Sequence, residues 1–537
     1  MKRVVLIVNV LLLVFICVFY IVKIDQNQYI NCKIGTPKVI HKIETNANLT
    51  TENILQNLIF NGESLPYDTE SSTFYLPLSM DDESWEFGEF TSGDESVTIL
   101  FTEDFKTVDK LDAIANNQSF TFIAFTNEEY RYYNLIFTGL PIMNITINEG
   151  NLDDSAQIDM SLYSAKTKSN WVKTSMANIR VRGNTSREFP KKAYKLELTK
   201  FDNTGNTVSN KMSLLNMRKD NDWILYAMYN DESKIRDKLS IDIWSQFGAN
   251  DNSFSCDYGT KLEYVELVVN GEYYGIYGLM EPVDAKKLGV KTASDASGQE
   301  YIYKRKNPYV LSLDEFIEDS DIITRCGFEL KGLSNYGQIS LQSWQPLINF
   351  IRVNSLSDEK YIKEIDQTID INSVTNAWLY LQIISGMDHR AKNMYYVAKM
   401  TSSGIRLFFV PWDLDLTWGN VSKGEEYPPL YTAFEPEILT EEVNWETGQR
   451  VIDLNVDNSV SLVKDKWNTL RSSILTDDSL TKQIEALENT VVNSGAMKRD
   501  EVRWPDAAHT YDYSSLKQYA LDKMEYLDTY FATLGEE

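Results

Sequence analysis

The sequence predicts an α+β protein, on three observations. Short β-rich runs fill the stretch from Ile54 to about Met143, strands and helices alternate from about Ile145, and the C-terminal half is mainly helical. At 537 residues, the chain is too long for one ordinary core, so two or more folded units are expected. A hydrophobic content of 43%, with 12% aromatic residues, excludes a disordered chain.

In chain order, Lys2 and Arg3 precede an almost uninterrupted apolar run from Val4 to Val22, broken only by Asn9. That length spans a bilayer as a helix. The positive-inside bias keeps Lys2 and Arg3 cytoplasmic and puts the rest of the chain outside. The bulky residues from Val18 to Val22 offer no small-residue cleavage site, so residues 1–23 are expected to be an uncleaved anchor in a lipid bilayer. Residues 24–50 are polar, with no sustained apolar period, and are expected to be a spacer.

Residues 51–144 are expected to form a small all-β domain. The runs Ser72–Leu78, Val97–Phe101 and Ser119–Phe125 are separated by turn-forming clusters such as Asn61-Gly62 and Ser92-Gly93-Asp94. Residues 145–537 make the second body. It opens with period-two strands at Ala177–Arg182 and Lys192–Leu198, joined by a polar loop. Asp231 is expected to cap a helix through Ile235, Leu239, Ile243 and Phe247, with Gly248 as its stop. Next comes a hairpin about Asn270-Gly271, a dipeptide that supplies the two positive φ angles of a type I′ turn. Val374, Ala377, Trp378, Leu381 and Ile384 share one apolar helical face ahead of Gly386, and further helices are expected at Leu462–Leu475, Leu480–Val492 and Leu516–Leu534.

A formal net charge of −26 argues against nucleic-acid binding, because 78 acidic side chains repel the phosphate backbone and no basic patch intervenes. Four cysteines, with Cys17 in the apolar run and Cys32 just beyond it, do not make a disulfide framework. Cys256 and Cys326 are expected as isolated buried thiols, with a single bridge between them as the alternative. With three histidines in the chain, histidine-rich metal chemistry is also excluded.

The chemistry concentrates in two acidic segments, Asp388–Asn393 and Pro411–Asp415. Between them, Met394–Lys399 and Ile405–Val410 are expected to form a hairpin about Thr401–Gly404. An Asp, an Asn five positions later, a hairpin and another Asp is the layout of a protein kinase's catalytic and metal loops. In that layout Asp388 orients the acceptor hydroxyl, while Asn393 and Asp413 hold metal against phosphates. Mg²⁺ prefers oxygen ligands and keeps part of its water shell, so one or two carboxylates and an amide suffice. Asp413 and Asp415, so close in sequence, repel one another without a cation. The competing view is that these residues are turn formers bonded to their own backbone.

Four stretches resemble the CotH family, the kinase-like proteins named for spore coat protein H. They are IRVRGNTSREFPKKAYKL (179–196), NGEYYGIYGLME (270–281), DHRAKN (388–393) and PWDLDLTWG (411–419), and the resemblance covers roughly residues 145–535. It implies an atypical protein-kinase-like fold, binding of ATP with Mg²⁺ or Mn²⁺, and transfer of phosphate to Ser or Thr of a protein acceptor. The family's catalytic Asp falls on Asp388 and its metal-binding Asp on Asp413, with Asn393 and Asp415 matching the same motifs. Phosphate contacts are expected from Arg182, Gly183, Asn184, Ser186 and Lys192. Strand alternation puts Lys192 on the face of Tyr194, Leu196 and Leu198, and Lys195 opposite it with Glu197. Glu281 is expected near a hinge beside the nucleotide, and Arg236 follows the family's Asp-to-Arg pattern, which an internal salt bridge explains equally well. The alternative, motivated by the anchor, the acidic composition and the lack of a Gly-rich loop, is a noncatalytic bacterial cell-surface module that binds wall or extracellular polymers. Glycoside hydrolysis by paired carboxylates is a third possibility, less favoured because the Asp388–Asn393 spacing already fits a metal and a nucleotide.

Overall fold

The computed structural model describes residues 30–81, 83–85, 88–166, 170–249, 251, 258–291, 300–307, 311–316, 322–332, 339–390, 392–421, 430–431 and 443–536. The apolar run 4–22 and Cys256 lie outside them. Among the described residues no helix is long and apolar enough to cross a membrane. The architecture mixes helices and strands, as the sequence predicts.

Its contacts divide the chain into two units. One runs up to Asn221 and takes in Tyr264–Gly278 and Asn489–Pro505; the other holds Asp222–Glu263, Leu279–Glu488 and Asp506–Glu537. In the first unit, α1 (Pro37–Asn46) occupies part of the stretch expected as a spacer. Pro37 starts it, since a missing N–H costs nothing in a first turn. One sheet is then built on Thr73–Pro77, Glu129–Thr138, Ser119–Phe125 and Thr98–Phe101, in that spatial order. Its buried face is aromatic: Phe101, Phe120 and Phe137 pack with Phe105, from the 3₁₀ turn Phe105–Thr107, at ring-centroid distances of 5.3–5.7 Å.

A second sheet of this unit is ordered β5-β4-β3-β2-β1-β6-β7, where β1 is Ile142–Gly150, β2 Ser155–Tyr163, β3 Val172–Arg182, β4 Ala193–Phe201, β5 Thr207–Ser209, β6 Leu262–Val269 and β7 Glu272–Met280. Strands β6 and β7 form the expected hairpin, with Asn270 at φ 49° and Gly271 at φ 76° as a type I′ turn requires. The contacts do not divide at residue 145. Ile142, Tyr163, Trp171, Val268 and Tyr273 share one buried cluster with Phe74, Phe101 and Phe137, so the early β-rich segment and the second sheet have a common core.

The second unit opens with a strand at Asp222–Tyr226 and α2 (Arg236–Gln246). Helix α2 begins five residues after the expected cap. Asp231 instead accepts hydrogen bonds from the backbone N–H groups of Ser233 (3.0 Å) and Arg236 (2.9 Å), and so ties down the turn that leads into the helix. An antiparallel sheet follows, in which β8 (Tyr301–Arg305) lies between β9 (Phe328–Lys331) and β10 (Met394–Thr401), and β10 pairs with β11 (Gly404–Pro411). Helix α3 (Ile371–Ile384) packs on β11, with Asp370 capping it through the Ser373 N–H at 2.8 Å. Nearly every residue of α3 is buried, rather than one face alone. The later helices Ser459–Arg471, Asp477–Val492 and Ser514–Thr533 fall where the sequence expects them.

Candidate functional site

Helix α3 ends on Ser385 in the left-handed conformation (φ 53°), and the chain turns at once into a 3₁₀ segment, Met387–Arg390, that carries Asp388 and His389. The β10–β11 hairpin pairs Met394 with Pro411, so the residues just before and just after it, Asn393 and Trp412, lie side by side at its open end. The Asn393 backbone joins both sides, its N–H donating to Arg305 O (3.1 Å) and its carbonyl accepting from Trp412 N (3.0 Å). Register alone therefore brings the two acidic segments together.

Within that junction the Asn393 amide donates to Asp388 Oδ2 at 2.8 Å, and Lys392 Nζ lies 2.9 Å from the same oxygen. His389 is fully buried, and its Nε2 meets Trp412 O at 2.8 Å. A carbonyl can only accept, so Nε2 carries the proton. Burial lowers the pKa of His389, against a smaller opposing pull from Asp388, and favours the neutral ring. Asp413 and Asn393 both have left-handed backbones, with φ 67° and 59°. Asp415 accepts through Oδ2 from the Asn230 amide and through Oδ1 from its own following N–H, Leu416 N, at 3.1 Å. Asn420 Nδ2 donates to Asp415 O at 2.8 Å and to Asn230 O at 3.2 Å, which closes this corner.

One further carboxylate enters that the sequence did not single out. Asp237, on the first turn of α2, is 3% exposed and accepts from Leu414 N at 3.2 Å, while its Oδ2 has no hydrogen-bond partner among the described residues. Burial, then the charges of Asp415 and Asp413, raise its pKa well above the ordinary carboxylate value. Asp415 is pushed up to about 7, first by burial and then by Asp413. Crowded carboxyl groups of this kind retain protons or take a cation. The donors on offer, carboxylates and an amide, are the oxygens that Mg²⁺ prefers. Among the described residues no three His, Cys, Asp or Glu side chains form a group ready to hold a metal.

Asp231 and Arg236 form a buried ion pair at 2.5 Å, with Ser233 Oγ donating to the same carboxylate. Burial alone would raise the Asp231 pKa, but Arg236 and the hydrogen bonds hold it below the usual value. The internal salt bridge is the role the structure gives Arg236. Glu281 is also buried, and pairs with Lys287 at 2.7 Å in the second unit.

The residues expected to contact phosphate belong to the first unit. Arg182 ends β3, and Gly183 follows at φ 110°, with the Ser186 side chain occupying the space that a Cβ would need. Thr185–Arg187 is a single 3₁₀ turn, started by Arg187 N donating to Asn184 O at 3.2 Å. Lys192 is partly exposed, and its Nζ reaches back to Arg187 O at 2.5 Å. Its neighbour Lys191 is the buried lysine, paired with Asp500 at 2.6 Å and 4.9 Å above the Tyr277 ring. Asp388, Asn393, Asp413 and Asp415 are thus gathered at one hairpin end in the second unit, while Arg182, Gly183, Asn184, Ser186 and Lys192 are gathered on one loop of the first.

A family profile described as CotH kinase protein matches residues 179–531. Inner spore coat protein H of Bacillus subtilis (strain 168) is similar to this chain, being 24% identical over 212 residues that make up 39% of this chain and 54% of the relative. The chain therefore spans about half the length of that relative.

Proposed function

Because the chain belongs to the CotH kinase protein family, we propose that it is a kinase-like phosphotransferase that moves phosphate from Mg-ATP to Ser or Thr of an acceptor protein. The observation that carries this reading is the meeting of Asp388, Asn393, Asp413 and Asp415 at the open end of the β10–β11 hairpin. Two carboxylates two positions apart, with Asp415 pushed up to about 7 by burial and by Asp413, make a site that a divalent cation would relieve.

In this reading Asp388 accepts the hydrogen bond of the Ser or Thr hydroxyl and orients its oxygen in line with the transferred phosphate. Asn393 fixes the Asp388 carboxylate through its 2.8 Å bond. Asn393, Asp413 and Asp415 would hold the Mg²⁺ or Mn²⁺, which when bound neutralises charge on the phosphate oxygens. Lys392 Nζ, 2.9 Å from Asp388 Oδ2, pairs with the same carboxylate. Gly183 allows close backbone approach, and Arg182, Asn184, Ser186 and Lys192 supply donors suited to phosphate. Glu281, buried and paired with Lys287 at 2.7 Å, is assigned in this reading to a hinge beside the nucleotide. We place the enzyme on the outer side of a bacterial membrane, held by the apolar run Val4–Val22. The spore-coat name of the relative supports a surface location.

The test uses the full chain, purified in detergent, with labelled ATP, Mg²⁺ or Mn²⁺ and a Ser-rich acceptor. Transfer of label to protein is expected, reduced roughly 100- to 10,000-fold in Asp388→Ala. Equal labelling by that variant would sink the mechanism. A second reading is a noncatalytic cell-surface module recognising wall or extracellular polymers. It is favoured by the acidic composition, a formal net charge of −26, and by the apolar run Val4–Val22. No thermal stabilisation by Mg-ATP, together with binding to wall polysaccharide, would select it.

A further inference from the structure

We propose that Asp237 is a positioning residue for Asp413, holding that residue's backbone in the conformation the site uses. This role rests on the phosphotransferase reading for its catalytic meaning, but its geometry stands independently.

Asp413 is flanked by two peptide groups, and each is fastened from outside the loop. On the N-terminal side, the Trp412 carbonyl is held by His389 Nε2 at 2.8 Å, while Trp412 N donates to Asn393 O at 3.0 Å. On the C-terminal side, Leu414 N donates to Asp237 Oδ1 at 3.2 Å. The residue between them has φ 67°, a left-handed conformation that an L side chain adopts only when its surroundings impose it. Fixing the peptide planes before and after one residue fixes its φ and ψ, and so the direction of its side chain.

Asp237 is well placed for this task. It lies on the first turn of α2, whose start is tied down by the buried Asp231–Arg236 pair, so the clamp is mounted on a rigid element. A carboxylate among acidic neighbours is a costly way to accept one backbone hydrogen bond, and an apolar residue would pack at this 3% exposed position at less cost. Among the described residues, the hydrogen bond its side chain makes is the one it accepts from Leu414 N.

The proposal separates hydrogen-bond acceptance from negative charge. Asp237→Asn keeps an oxygen that can accept from Leu414 N, whereas Asp237→Ala does not. In the full chain, hydrogen exchange of the Leu414 amide is expected to be slow in the parent and in Asp237→Asn, and fast in Asp237→Ala, while the amides of α3 exchange alike in all three. In the transfer assay, Asp237→Ala is expected to lower kcat about 100-fold with a much smaller change in the acceptor KM, and Asp237→Asn to recover most of that loss. Equal exchange at Leu414 in Asp237→Ala and parent would overturn the proposal. So would an Asp237→Asn variant as impaired as the alanine one, since Asp237 would then act through its charge. A general loss of protection across α3 in Asp237→Ala would equally overturn it, by showing support of the fold rather than of the loop. If the parent itself transfers no phosphate, the function reading fails, and the Leu414 exchange comparison still decides whether Asp237 holds the loop.

Discussion

A carboxyl group raised to about 7, as Asp415 is by burial and by Asp413, binds its proton more tightly in the folded chain than in the unfolded one, where an Asp titrates at about 3.9. The sign follows directly. The stabilising contribution is complete below about pH 4 and is lost as pH rises toward about 7. Without divalent cation, the melting temperature of the protein is therefore expected to fall between those limits, by an amount equivalent to up to roughly 4 kcal/mol. Thermal scans across this range check it, and Asp415→Asn should flatten the slope. Millimolar Mg²⁺ should restore stability near pH 8, where Asp415 is charged, and do less near pH 5, where Asp415 holds its proton. An Mg²⁺ effect independent of pH would remove these groups from the cation site. At this scale the sequence was most informative where residues are neighbours in the chain: Asp388 and Asn393, or Asp413 and Asp415. Asp237 escaped notice because its partner is Leu414, 177 positions away, and nothing in the run Arg236-Asp237-Lys238 distinguishes it from a solvated first turn.

The elements that were easiest to foresee are those whose local chemistry admits one conformation. Asn270-Gly271 and the Thr401–Gly404 turn both dictate hairpins, and Gly404 adopts φ 116°, where a side chain is strained. Gly404→Ala is accordingly expected to destabilise the β10–β11 hairpin by about 1 kcal/mol or more, seen as a lower urea midpoint. The start of α2 was harder to place. Asp231 looked like an ordinary cap, yet its carboxylate is used over five residues to hold Ser233, the Arg236 N–H and the Arg236 guanidinium. Arg236→Met would leave that carboxylate buried without its cation, at a cost of about 3–5 kcal/mol. Denaturant unfolding should show the loss, and the double substitution Asp231→Leu with Arg236→Met should recover much of it. The all-round burial of α3 was also hidden, because periodicity reports the strongest apolar face and is silent about polar residues such as Asn376 and Gln382 that are buried as well.

For the molecule as a whole, the first unit is not a contiguous piece of chain. Asn489–Pro505 belongs to it and carries Arg499, which bonds Glu266 at 2.6 and 2.8 Å, and Asp500, which bonds Lys191 at 2.6 Å and Ile276 N at 2.8 Å. All four side chains are buried. Asp500→Ala is expected to cost about 3–5 kcal/mol by stranding Lys191, and Lys191→Met in the same chain should return much of it. Deleting everything beyond Glu488 should abolish the cooperative unfolding of the first unit, as judged by calorimetry. This returning segment was illegible in the sequence, where it falls largely between the helices expected at Leu480–Val492 and Leu516–Leu534 and carries no motif. Strand alternation weighed Lys192 against Lys195 and passed over Lys191, because β4 begins only at Ala193 and alternation says nothing of the residues before it. The same arrangement sets a schedule for synthesis. Lys191 leaves the ribosome 309 residues before Asp500, and Glu266 leaves 233 residues before Arg499. At about 5–20 residues per second, each waits roughly ten seconds to a minute for its counter-charge. The first unit is thus completed only after Asp222–Glu488 has been synthesised, and in that interval its buried charges call for shielding by a chaperone.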